Sequence, residues 1–199
     1  MTLQEALMEA DRQQQRAGVV WETVRRIAAR LDQISVPYAV VGGIALQHFG
    51  IGRSTQDVDI LVSSTADLAR VHGDLIGHGY IIKSPGSRHL RDEVTRVRVE
   101  FLIGGEYPGD GRPKPVAFPT PAEAGEQDDS GLHFVNLRAL IEMKLASAKS
   151  AAHRIKDRAD VLELIHVCGL TPSFAESLNP YVREEFLQLV HLPPPSEPD

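Results

Sequence analysis

The stretch YAVVGGIALQHFGIGRSTQDVDILV, from Tyr38 to Val62, constrains the fold more than any other part of the chain. Tyr38 to Val41 is a β-rich run closed by Gly42 and Gly43, and Ile44 to Phe49 has the composition of a short helix stopped by Gly50 and Gly52. Beyond it, Val58, Ile60 and Val62 alternate with Asp57, Asp59 and Leu61, the two-residue period of a strand with one buried face. The spacing therefore predicts strand, glycine turn, helix and strand. Asp57 and Asp59 share the face opposite the valines, where two side chains two apart can converge on one point.

The flanking sequence extends this into a mixed architecture. Leu3 to Leu31 reads as helical, with Val20, Val24, Ile27, Ala28 and Leu31 forming an apolar stripe and Gly18 as a point of division. A helical segment over Ala66 to His78 and a short strand near Tyr80 to Ile82 follow. In the next expected strand Val97, Val99, Phe101 and Ile103 share one face, and Arg96, Arg98, Glu100 and Leu102 the other, Glu100 being its only acid. Gly104 to Gly131 reads as a long, mobile connection with one strand at Pro115 to Phe118. Leu132 to Val135 reads as a strand, and Asn136 as the cap of a helix over Leu137 to Ala151. A second helix is expected over Ile155 to Val167, stopped by Gly169 and Pro172, and a third over Ser173 to Leu192, broken near Asn179 and Pro180. The expected division is a core with N-terminal helices over 1–135, a helical region packed on it over 136–192, and a disordered tail over 193–199. The fold class is α/β (α+β), a mixed β-sheet core with an N-terminal helix region and a C-terminal helical bundle.

Asp57, Asp59 and Glu100 would repel one another unless a multivalent cation sat among them, and hard oxygen ligands of this kind suit Mg²⁺ or Mn²⁺. Two such ions can hold a nucleotide triphosphate tail and activate a hydroxyl, the arrangement of phosphoryl and nucleotidyl transfer. Gly42 and Gly43 allow phosphate oxygens close to the backbone, and Arg53 and Thr55 are further candidate contacts. On the helices, Lys144 lies within the stripe of Leu137, Leu140, Ile141, Leu145 and Ala148, and Asp157 shares a face with Val161, Leu164 and Cys168. Two readings stay open for that pair. Either Lys144 and Asp157 form a salt bridge that orders the helices, or Lys144 faces the triphosphate with Asp157 orienting it. Arg154, Lys156 and Asp160 are expected on the surface or just behind the site.

Composition limits the alternatives. At 199 residues the chain can bury one sizeable core, and 42% hydrophobic with 24% charged residues is ordinary for a globular protein. No apolar run reaches membrane-spanning length, and MTLQEALMEADRQQQR lacks the apolar core of a secretory signal, so a cytoplasmic location is expected. A net charge of −6 argues against indiscriminate coating of nucleic acid, although Lys83, Arg88, Arg91, Arg96 and Arg98 form a local basic cluster. A single cysteine, Cys168, excludes an internal disulfide and reads as a small buried hydrophobe. The eight histidines show no zinc-ligand spacing. His48 is expected to pack its helix and His89 to face substrate.

Gly42-Gly43, Ala45, Arg53, Thr55, Asp57, Asp59 and Glu100 together resemble the core motif of the DNA polymerase β-like nucleotidyltransferase superfamily. KLASAKSAAHRIKDRADVLEL, carrying Lys144, Arg154, Lys156, Asp157 and Asp160, is similar to the lysine and Lys-Asp-x-x-Asp pattern of AbiEii-type toxin nucleotidyltransferases and their uncharacterised relatives. The resemblance spans Val40 to Leu164. It implies transfer of an NMP from an NTP to an acceptor hydroxyl, with Asp57, Asp59 and Glu100 binding metal, Lys144 joining them in catalysis, and Gly42, Gly43, Arg53, Thr55, Lys144 and Asp157 holding nucleotide. It points to RNA, for instance a tRNA end, as acceptor and to an antitoxin protein as partner. An antibiotic-type small-molecule nucleotidyltransferase and a non-catalytic nucleotide-binding module are the alternatives. Glu100 stands where Asp is usual, and Gly-Gly replaces the Gly-Ser of many members.

Overall fold

The computed structural model describes residues 3–151 and 153–192; the expected tail over 193–199 lies outside the described residues. The chain begins with helices α1 (Leu3–Gln14) and α2 (Gly18–Gln33), followed by β1 (Tyr38–Val41), α3 (Gly42–His48) and β2 (Asp57–Val62). Next come α4 (Thr65–Leu75), β3 (Tyr80–Ile82), β4 (His89–Asp92) and β5 (Arg98–Ile103). A one-turn helix α5 (Pro121–Ala124) precedes β6 (Gly125–Gln127) and β7 (His133–Val135). Helices α6 (Leu137–Ser150), α7 (Ile155–Val167) and α8 (Pro180–Val190) close the chain, with a 3-10 turn at Pro172–Ser177.

The strands form a mixed seven-stranded sheet in the order β3-β4-β5-β2-β1-β7-β6. β2 runs antiparallel to β1 and parallel to β5, with Asp57 opposite Arg98 and Asp59 opposite Glu100. The fold class is therefore as the sequence predicts. Val58, Ile60, Val99 and Phe101 are fully buried, and α2 packs on β1 and β2 through the expected stripe together with Trp21. Burial of these apolar faces, each side chain contributing about 1.5–3 kcal/mol, is what fixes the register that aligns the carboxylates.

Several boundaries differ from expectation for local reasons. The glycine pair lies inside α3 rather than before it. Gly42 takes φ +64°, and a Cβ there would lie 1.9 Å from Asp59 Oδ2. β5 starts at Arg98, because Arg96 has φ +65° and its N–H bonds to the carbonyl of Asp92 in a turn. α4 ends at Leu75, where Ile76 turns extended and bridges to Tyr80. The long connection over Gly104 to Gly131 contains α5 and β6, and Pro115 to Phe118 is not a strand. Its backbone is tied back instead: the Gly105 N–H donates to the Phe118 carbonyl at 2.8 Å, and the Phe118 N–H donates to that of Glu106 at 2.7 Å. Asn136 caps α6 as predicted, accepting from the Ala139 N–H at 2.9 Å.

Candidate active site

The loop before β2, the C-terminal helices and the connection after β5 enclose an open cleft of about 800 Å³. The period of β2 and its pairing with β5 bring Asp57, Asp59 and Glu100 to this cleft. Gly42, Gly43, Arg53, Thr55, Lys144 and Asp157 line it too, so the structure gathers every predicted site residue around one space. Thr55 packs so closely that a Cβ on Gly43 would lie 2.8 Å from its Oγ1. Asp59 and Thr55 thus both require glycine in α3, a packing reason that stands beside any role in binding phosphate.

The carboxylates are electrostatically loaded. Burial and the neighbouring charges of Glu100 and Asp57 push the Asp59 carboxyl up to about 6, against the pull of Lys144 and Arg98. Arg98, opposite Asp57 in the register, donates from Nη2 to Asp57 Oδ2 at 2.8 Å and lies 3.6 Å from Glu100 Oε2. The bond to Asp57 raises the guanidinium further, so Arg98 stays charged. His89, opposite Glu100 on β4, places its buried Nδ1 3.6 Å from Glu100 Oε2, with no hydrogen-bond partner. As they stand, no three His, Cys, Asp or Glu side chains among the described residues are grouped to hold a metal ion. All-oxygen donors with surplus negative charge are nevertheless the chemistry that Mg²⁺ or Mn²⁺ fits.

A second cluster faces the acids. Lys144 Nζ donates to Asp160 Oδ2 at 2.6 Å and lies 3.4 Å from Asp157 Oδ1, while Arg53 pairs with the other oxygen of Asp160. Asp157 also accepts from Ser147 Oγ at 2.7 Å, and Arg154 reaches Ser147 Oγ at 2.9 Å and the Gly109 carbonyl at 3.3 Å. Of the two places expected for Asp160 the structure excludes the surface: it is 3% exposed and lies behind Lys144 as that residue's nearer partner. Two cations converging on one acid make its burial tolerable. The predicted Lys144–Asp157 bridge is present as the longer contact.

Sequence reading missed the support behind the Arg53–Thr55 loop. The side-chain amide of Gln13 in α1 pairs with both polar groups of Thr55, donating to its carbonyl and accepting from its N–H, each at 2.9 Å. Gln47 donates to Gln13 Oε1 at 3.1 Å and to the Arg53 carbonyl at 2.5 Å, and Trp21 Nε1 donates to Gln47 Oε1 at 2.7 Å. No local pattern marks the Gln13 contacts; they join residues 42 positions apart for Thr55 and 34 for Gln47. Arg98 did carry a signal, since the two-residue period puts it on the face of Glu100. His48 stacks on Phe134 with ring centroids 4.1 Å apart, as its packing role predicts.

No protein-family profile matches the chain, and no curated protein does. Among solved structures, the crystal structure of ANT(2")-Ia in complex with adenylyl-2"-tobramycin is similar, with 15% identity, 84% of this chain and 96% of that chain covered, and a TM-score of 0.53. The solution structure of the antibiotic-resistance factor ANT(2'')-Ia matches at 14% identity over 83% of this chain and 87% of that one, TM-score 0.45. The STING-associated CdnE c-di-GMP synthase from Capnocytophaga granulosa matches at 16% identity over 74% of this chain and 51% of that one, TM-score 0.34; neither of these two is close enough to carry an argument. At such identity the likeness establishes architecture alone: the chain has the mixed α/β fold of ANT(2")-Ia over nearly that protein's whole length.

Proposed function

We propose that the protein is a metal-dependent nucleotidyltransferase that moves an NMP from an NTP to a hydroxyl of a small molecule. The observation that carries the reading is the placement of Asp57, Asp59 and Glu100 in one cleft with Lys144 and Arg53. Negative charge for cations and positive charge for phosphates then occupy one space. Asp57 and Asp59 would hold Mg²⁺ or Mn²⁺, with Glu100 completing the set. When bound, the ions supply charge to the phosphate oxygens and lower the pKa of a coordinated hydroxyl. Glu100 would accept the acceptor hydroxyl's proton. The acceptor oxygen attacks the α-phosphorus, the bond to the bridging oxygen breaks, and pyrophosphate leaves with its electron pair. Lys144, oriented by Asp157, and Arg53 offset charge on that leaving group, while Gly42, Gly43 and Thr55 position the tail.

Two observations favour a small acceptor over RNA. The fold matches ANT(2")-Ia, which was solved with an adenylylated small molecule, over nearly its whole length. Two of the five members of the basic cluster, moreover, are paired with acids within the protein, Arg88 with Glu106 and Arg98 with Asp57. An antitoxin partner has only the resemblance of the helical lysine and Lys-Asp motif behind it.

The test is an acceptor screen with the four NTPs labelled on the α-phosphate, Mg²⁺ or Mn²⁺, and two arms, hydroxylated small molecules and total RNA. Label should pass to a small molecule and fall by at least about a hundredfold in Asp57→Ala. Label on RNA instead would replace the acceptor class and restore the toxin-like reading. NTP binding without transfer to either would leave a non-catalytic module.

A further inference from the structure

We propose that Arg98 is a resident counter-cation of the acidic cluster, which divalent ions must displace, so that it sets the metal affinity of the site. The inference rests on the nucleotidyltransferase reading above. Three placements support it. Arg98 stands directly opposite Asp57 in the β2–β5 register, with Nη2 2.8 Å from Asp57 and 3.6 Å from Glu100, so one guanidinium touches two of the three carboxylates. On its other side Arg98 is opposite Arg91 of β4, and like charges facing each other across strands repel, which biases Arg98 toward the acids. The Arg98 and Asp57 side chains are 41% and 38% exposed, and a pair so open to water is weak enough for a divalent ion to break.

The arrangement answers a physical problem. Three carboxylates in a cleft that must also admit a polyanion would repel the nucleotide before any metal arrived. With Arg98 in place, the empty site carries one negative charge fewer. When an ion takes its position, the long side chain can swing outward without moving β5. A site held this way binds free metal poorly and admits metal that arrives already on a triphosphate.

The test is a Mn²⁺ titration of the nucleotide-free chain, followed by electron paramagnetic resonance of the unbound ion. Arg98→Gln should bind about five- to tenfold more tightly than wild type, because it removes both the competing hydrogen bond and one charge repelling the ion. Arg98→Lys, which keeps the charge but not the forked donor, should fall between them. In a chain that retains its thermal midpoint, equal or weaker binding by Arg98→Gln would overturn the inference and leave the enzyme reading standing. Failure of every form to bind Mn²⁺ at millimolar concentration, both alone and as its complex with a triphosphate, would overturn both. If Arg98→Gln does not fold, the Arg98 Nε–H resonance of the wild type, identified by its loss in Arg98→Lys, decides: Mg²⁺ should shift it toward an exposed arginine, and an unchanged resonance at metal saturation would refute displacement.

Discussion

Asp59 is held under opposing demands. It sits against the backbone of Gly42 and opposite Glu100, where burial and like charge both favour its neutral form and raise it from 3.8 to about 6. The unfolded chain loses that proton near its ordinary value, so between about pH 4 and pH 6 the folded state binds more protons than the unfolded one. Stability from this group is therefore fully present below about pH 4, declines as the pH rises through about 6, and stays lower above it. Asp59→Asn, which cannot ionise, should stabilise the metal-free protein at about pH 7.5 by on the order of 1–3 kcal/mol and give no gain at about pH 4. Thermal unfolding at the two pH values checks this. A gain of equal size at both would show that repacking, and not charge, is responsible.

Among the elements, α1 has no described side chain lining the cleft, yet it supports the loop that does. Gln13 satisfies the N–H and the carbonyl of Thr55 together, as a neighbouring strand would. Gln13→Leu keeps the bulk and removes the pairing, leaving buried polar groups unmet at a cost of about 1–3 kcal/mol. Amide exchange at Arg53 to Thr55 should accelerate while β2 stays protected; uniform acceleration over the whole chain would refute a local role. This dependence marks where the sequence stops being legible. The alternation in β2 and β5 reveals Asp57, Asp59 and Glu100 because a buried face imposes a two-residue period. β4, reading His-Leu-Arg-Asp, and β6, reading Gly-Glu-Gln, carry no such period. They become strands by pairing with neighbours that the local sequence does not specify. Asp160 is legible only in part for a similar reason: its sequence leaves the surface and a place behind the site both open until its two cations, Arg53 and Lys144, are known.

At the scale of the whole molecule, the cleft exists because the sheet and the C-terminal helices are fastened across it. Asp160 of α7 takes Arg53 from the loop before β2 and Lys144 from α6, and Arg154 spans to the Gly109 carbonyl on the opposite wall. The consequences of breaking this fastening are asymmetric. Lys144→Met leaves Asp160 paired with Arg53, and should cost about 1 kcal/mol. Asp160→Ala strips Arg53 of its acid and leaves Lys144 only the longer contact to Asp157, and should cost about 3 kcal/mol, the low end for a buried ion that loses its partner. Thermal unfolding of the two variants would show the difference, and equal losses would mean that Lys144 and Asp160 act only as a simple pair. The same reasoning separates structure from ligand binding. If Lys144 and Arg53 also serve phosphate, inorganic triphosphate should replace the missing carboxylate, raising the midpoint of Asp160→Ala by more than it raises that of wild type. In Lys144→Met the same anion should raise it by less, because one of its two cations is gone; a rise equal in all three chains would remove Lys144 from the phosphate site.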